Sequence, residues 1–224
     1  MTLNRDLFKP AVAVAFDMDG LMFETETVYF KAASELLRRR GFEYTQEVCD
    51  QIMGRPPEFC FKLFVKLFNL KEDWRDLQRE DEKYFLRFLK DGYQTMPGLI
   101  ELLDELDRRG IPYGVCTSSK PIVANEVLKK HGVVDRLKFI VTSDDVKNGK
   151  PDPEVYLKAA EKFNVEPAEM LVLEDSSAGC SAANAAGAPC CMLRAKHNRN
   201  ANFSGAVAVV ERLEDPQTLA LLRK

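Results

Sequence analysis

The stretch VAVAFDMDGLMFETE, Val12 to Glu26, decides how the rest of the chain is read. Its first five residues, Val12 to Phe16, form a short and unbroken apolar run of the kind that fills a strand buried on both faces. The run stops at two aspartates, Asp17 and Asp19, followed by Gly20. Side chains alternate along a strand, so residues two apart share a face if the extended geometry continues past Phe16. Two carboxylates then face one site at the C-terminal end of a buried strand, which is where open α/β sheets bind ligands. The plainer alternative is a polar loop after a core strand, since Asp-Gly is a common turn pair.

Working outward, five more β-rich apolar runs follow: Tyr113–Thr117, Phe139–Thr142, Leu171–Leu173, Cys190–Leu193 and Val207–Val210. Most gaps between successive runs suit a strand, a crossover helix and the next parallel strand. The first gap is far longer and predicts one crossover plus an inserted segment of roughly 70 residues. The insertion reads as helical. Val28, Ala32, Leu36 and Leu37 carry a helical period that stops at Gly41, and Thr45 is placed to cap a second helix. Phe59, Leu63, Phe64, Leu67 and Phe68 recur at three and four, as do Tyr84, Phe85, Phe88 and Leu89. Both stripes are expected to form the packed interior of a small bundle. The expected division is a core of residues 1–24 and 96–224 with a helical cap over 25–95, its hinges near Thr25–Thr27 and Thr95–Gly98. A body tied by two connections is what a mobile lid requires. In the core, Gly110 closes a helix, Pro121 opens another, and a further one runs from about Pro153 to Phe163. The small residues of SAGCSAANAAG, Ser177–Gly187, predict close packing of a helix on the sheet.

The chain has 224 residues, of which 46% are hydrophobic and 30% charged, as in ordinary globular proteins. A net charge of −3 gives no support for binding nucleic acid or an acidic membrane. No apolar run approaches the roughly 20 residues needed to span a bilayer. The opening MTLNRDLFKP has no signal-peptide core, and the expected location is cytoplasmic. Six cysteines lack CxxC spacing and only two histidines exist, which argues against a Cys/His zinc site. Cys116, Cys190 and Cys191 lie in apolar runs and read as buried, reduced thiols.

The ends of the first four runs gather the chemistry: Asp17 and Asp19; Thr117 and Ser118; a loop closing on Lys150-Pro151; and Glu174 with Asp175. In a parallel sheet these ends lie along one edge, so distant residues converge. Four carboxylates beside one lysine cannot all stay ionised in a low dielectric. A hard divalent cation resolves the conflict, and oxygen ligands favour Mg²⁺. A phosphate fits the same site, with Thr117 and the N–H groups that open the next helix as donors.

Taken together, FDMDGLMFETE, VCTSSKP, GKPDPEVY and LVLEDSSAG resemble the haloacid dehalogenase superfamily, over nearly the entire chain. The likeness is to its phosphatase-like members with a helical cap after the first strand. The implied fold is α/β, a doubly wound parallel sheet with an inserted α-helical cap. The implied activity is Mg²⁺-dependent hydrolysis of a small phosphorylated metabolite, by a monomer with neither nucleic acid nor membrane as partner. Carried over, Asp17 is the nucleophile and Asp19 the general acid, then base. Thr117, Ser118 and Lys150 hold the phosphoryl group. Asp17, Asp19 through its carbonyl, and Asp175 bind the metal, with Glu174 either a ligand or an orienting group. Among capped members the chain looks closest to pseudouridine 5′-phosphatase, sugar-phosphate phosphatases and β-phosphoglucomutases. Met53-Gly54-Arg55 resembles that group's specificity loop, which makes Arg55 and the hinge Thr25 candidate substrate contacts. β-Phosphoglucomutases carry a histidine four residues past the hinge threonine where this chain has Tyr29, a departure that weakens the mutase alternative. A non-catalytic phosphate-binding domain would show a broken motif, and here the motif residues are intact.

Overall fold

The computed structural model describes residues 9–52, 55–199 and 201–224. Six strands, β1 (Ala13–Phe16), β2 (Tyr113–Cys116), β3 (Ile140–Val141), β4 (Met170–Glu174), β5 (Cys190–Leu193) and β6 (Ala208–Val210), form one sheet in the order β3-β2-β1-β4-β5-β6. Every pairing is parallel. Chain order runs outward from β1 to β3, then returns to the other side of β1 at β4. That reversal is the topological switch point of a doubly wound sheet. The register sets Phe16 between Val115 and Leu173, so Asp17 and Glu174 leave the sheet side by side.

Around the sheet lie α5 (Leu99–Arg109), α6 (Pro121–Lys129), α7 (Glu154–Phe163), α8 (Ser177–Ala186) and the short α9 (Pro216–Ala220). β1, β2, β4 and β5 are buried at every residue, which explains their unbroken apolar sequence. Ala13 and Ala15 share one core face with Val155, Tyr156, Ala159, Cys180 and Ala183. The small residues of α8 let it pack closely on β4 and β5. Gly110 closes α5 in the left-handed conformation, where a glycine has no Cβ to clash.

The described chain divides into two compact units, one holding the residues up to Glu24 with Thr95–Lys224, the other Thr25–Gln94. The second unit is helical: α1 (Glu26–Arg38), α2 (Gln46–Ile52), α3 (Pro57–Leu67) and α4 (Trp74–Leu89). Its α4 packs against both α1 and α3. The Thr45 hydroxyl accepts from Val48 N at 3.4 Å, in keeping with a cap on α2. The α3 stripe is corrected in part, because Phe59 and Leu67 are 44% and 46% exposed. At about 100° per residue, Phe61, Phe64 and Phe68 share one side while Phe59, Leu63 and Leu67 turn away from it. Phe61 and Phe64 are the buried pair, their rings edge to face at 5.7 Å. In α4 the buried side is Leu77, Asp81, Tyr84, Phe85 and Leu89, an apolar stripe interrupted by a carboxyl. Among the described residues no helix is long and apolar enough to cross a membrane.

Candidate active site

Asp17 continues β1 into the site. Its N–H donates to Leu173 O at 2.9 Å, and its side chain is buried. A tight turn follows, in which Gly20 N donates to Phe23 O at 2.9 Å and Met22 N to Met18 O at 2.9 Å. Gly20 holds φ at +78° there, and a Cβ on it would fall 2.3 Å from Asp175 Oδ2. Asp19 is thereby turned toward the loop after β2. Its Oδ2 accepts from Ser119 Oγ at 2.7 Å and from Thr117 Oγ1 at 3.4 Å. Ser119 N in turn donates to Thr117 Oγ1 at 3.0 Å. Ser118, between them, is exposed.

Lys150 reaches in from the loop before α7, buried along its length. Its ammonium donates to Asp17 Oδ1 at 2.5 Å, Glu174 Oε1 at 2.6 Å and Cys116 O at 3.0 Å. Burial works against its charge, but Asp17 and Glu174 outweigh that and hold the lysine above its ordinary range. Glu174 is 0% exposed. Its Oε1 also accepts from Tyr156 OH at 2.7 Å, and its Oε2 from Asp175 N, Ser176 N and Ser176 Oγ at 3.0–3.1 Å. A carboxylate offers about four lone-pair sites. Five protein donors therefore leave Glu174 little capacity for anything else. Gly179 permits this placement, since a Cβ there would lie 1.7 Å from Glu174 Oε1. Burial acts to raise the Glu174 carboxyl, yet Lys150, Tyr156 and the backbone donors hold it below the usual range.

Asp17 and Asp175 differ. Burial, then the charges of neighbouring carboxylates, pushes both well above the ordinary range despite Lys150. An oxygen of each lies within 4.8 Å of the others and of a Glu174 oxygen. One ammonium among three buried carboxylates leaves negative charge that a divalent cation would neutralise, and the all-oxygen donor set suits Mg²⁺. The residues present fit such an ion.

The structure thus brings together Asp17, Asp19, Thr117, Lys150, Glu174 and Asp175. Thr25 and Arg55 belong to the helical unit. Thr25 is buried at the head of α1, its carbonyl accepting from Val28 N and Tyr29 N, and its hydroxyl makes no cap bond. Arg55 is exposed, its guanidinium 5.3 Å from the Phe59 ring centre. Met53 and Gly54 lie outside the described residues. Tyr29 packs on Phe85 with ring centres 4.2 Å apart. Sequence reasoning missed Ser119, Tyr156, His197 and Asn198. His197 Nε2 lies 2.7 Å from Asp175 Oδ2, and Asn198 Nδ2 donates to Asp175 O at 2.8 Å. Ser119, two residues past Thr117, and Tyr156, at the end of GKPDPEVY, lay inside stretches the sequence singles out, whereas His197 and Asn198 did not.

The chain is similar to known proteins over most of its length. The family model for haloacid dehalogenase-like hydrolases matches residues 14–193. A phosphorylated carbohydrates phosphatase of Thermotoga maritima is 34% identical over 78% of this chain and 81% of its own. A probable pseudouridine-5′-phosphatase of Drosophila melanogaster is 33% identical over 89% of each. In fold, the crystal structure of CbbY from Rhodobacter sphaeroides in complex with phosphate superposes with a TM-score of 0.82 at 23% identity, covering 93% of this chain and 99% of that one. With its switch-point carboxylates, buried lysine and a family match from β1 to the end of β5, the chain belongs to the haloacid dehalogenase-like hydrolases.

Proposed function

We propose that the chain is a Mg²⁺-dependent phosphomonoester hydrolase that acts on a small phosphorylated metabolite through an aspartyl-phosphate on Asp17. The observation that carries this reading is the contrast between two carboxylates two residues apart. Asp17 is buried against Lys150 and beside Glu174 and Asp175, whereas Asp19 is partly exposed and held by hydroxyls. Environments that differ in this way separate a nucleophile from an acid–base group.

Asp17, Asp175 and the Asp19 carbonyl would hold the cation, and Glu174, saturated by protein donors, would orient the site rather than ligate. When bound, the ion neutralises charge between the Asp17 carboxylate and the incoming phosphoryl group. Asp17 attacks phosphorus, forming its O–P bond as the ester P–O bond breaks. Asp19 gives its proton to the departing oxygen. As a carboxylate, Asp19 then takes a proton from the water that attacks phosphorus, the Asp17–phosphorus bond breaks, and inorganic phosphate leaves. The Thr117 hydroxyl and Lys150 ammonium steady the phosphoryl oxygens through both steps. Ser118 contributes from the same loop. The helical unit Thr25–Gln94, joined by two connections, serves as the lid, with Thr25 and Arg55 as its substrate contacts.

A panel of phosphorylated sugars and nucleotides tests this directly. Phosphate release should vanish with EDTA and return with Mg²⁺, and Ca²⁺ should restore it poorly because it prefers more ligands at longer distances. Full turnover by verified metal-free protein would end the reading. Release should also need no sugar bisphosphate. Rapid isomerisation of β-glucose 1-phosphate with negligible free phosphate would favour the mutase alternative.

A further inference from the structure

Two consecutive residues of the loop after β5 grip Asp175, and we propose that His197 and Asn198 are positioning residues that aim its carboxylate at the cation. The inference rests on the cation site proposed above. His197 Nε2 donates to Asp175 Oδ2 at 2.7 Å when that carboxylate is ionised and has no proton to give. Asn198, 5% exposed, commits its whole amide to the same corner. Its Nδ2 donates to the Asp175 carbonyl at 2.8 Å and to the Leu193 carbonyl at 2.7 Å, while its Oδ1 accepts from Ala195 N at 2.8 Å.

The two contacts do different work. Leu193 ends β5, which pairs with β4 beside Asp175. Asn198 therefore ties the Asp175 backbone to the rigid end of the neighbouring strand. His197 holds the side chain, whose two torsions would otherwise let the carboxylate swing. Gly20 completes the fit, because a Cβ there would stand 2.3 Å from Asp175 Oδ2 and 2.8 Å from His197 Nε2. The glycine of the Asp-Met-Asp-Gly turn leaves the space in which this hydrogen bond forms. With Nε2 committed to Oδ2, the imidazole steadies the carboxylate that would hold the ion. Partners of this kind fix a ligand's orientation and raise metal affinity.

The test titrates metal-free protein with Mg²⁺ by calorimetry, with no substrate present. Asp175→Asn should lose binding. His197→Ala should weaken it about tenfold or more, and His197→Gln, whose amide nitrogen can donate from a similar place, should recover most of the loss. The effect should fall on the metal Kd more than on kcat at saturating Mg²⁺. Nitrogen-15 NMR of the unsubstituted protein gives a second readout, with only two histidines to assign. With Mg²⁺ bound, His197 should be protonated at Nε2, and its resonances should shift as the ion is added. Unchanged Mg²⁺ affinity in His197→Ala, or an imidazole protonated only at Nδ1, would overturn the positioning role while leaving the cation site standing. Equal Mg²⁺ binding by Asp175→Asn would remove the cation site itself, and the positioning role with it.

Discussion

Lys150 is the residue on which the charge balance of the site turns. Its ammonium contacts Asp17, Glu174 and the Cys116 carbonyl in a buried setting. Breaking a buried pair by removing one partner costs roughly 3–5 kcal/mol, because the remaining charge is left uncompensated. Lys150→Met is therefore expected to lower the urea-unfolding stability of metal-free protein by about that much. Its kcat should fall by a factor on the order of 10²–10³, the usual loss when a donor to developing charge is removed. Added Mg²⁺ should restore part of the stability and little of the rate. A variant as stable and active as the parent would show that Asp17 and Glu174 do not depend on this lysine. Asp17, Asp19, Thr117, Glu174 and Asp175 stand at or just beyond the ends of apolar runs, and Lys150 closes the loop after the third run, which made all six visible in the sequence. Tyr156 ends the GKPDPEVY stretch, but its role was not visible, since a tyrosine inside an amphipathic helix reads as core. Only the tertiary path of α7 brings its hydroxyl to Glu174. His197 and Asn198 lie in a loop with no periodicity to place them, so their grip on Asp175 had no local trace.

At the scale of the element, α4 shows what periodicity reveals and what it hides. Leu77, Tyr84, Phe85 and Leu89 recur as a buried helical face should, and the sequence reading found its C-terminal half. Asp81 occupies the middle of that face, and a polar letter at an apolar position broke the stripe. In α3 the error ran the other way, since apolar letters on two sides of the helix were read as one face. Asp81 Oδ1 is buried without a hydrogen-bond partner. Burial, with smaller contributions from the charges of Glu82 and Glu80, pushes its carboxyl up to about 8. The unfolded chain releases this proton near the ordinary value of 3.8, while the folded helix keeps it until about 8. Between those values the folded state binds the extra proton, so unfolding free energy should fall as pH rises, by about 1.4 kcal/mol per pH unit from this group. The contribution should level off above about pH 8. Asp81→Asn should remove that slope in urea titrations from pH 5 to 8, and a slope unchanged by the substitution would refute the assignment.

For the whole molecule, spacing between apolar runs was enough to predict a parallel α/β sheet, because each crossover needs a helix's length of chain. The sheet order and the switch point beside β1 confirm that class. Spacing said nothing of β3 shrinking to two residues at the sheet edge, where pairing on one side alone supports it. Nor does any spacing rule read a substrate, since specificity depends on side chains brought together by the fold. What the fold does fix is a single edge where Asp17 and Asp19 stand in unlike surroundings, which implies a division of labour between them. The most direct measurement is rapid-quench mass spectrometry of Mg²⁺-loaded protein mixed with acetyl phosphate, a donor whose leaving group needs little protonation. One phosphoryl group is expected on the peptide carrying Asp17 in the parent protein, none in Asp17→Asn, and accumulation in Asp19→Asn, where the base that activates water is missing. Equal phosphorylation of Asp17→Asn and Asp19→Asn, or steady phosphate release with no phosphoenzyme on that peptide, would contradict that division of labour.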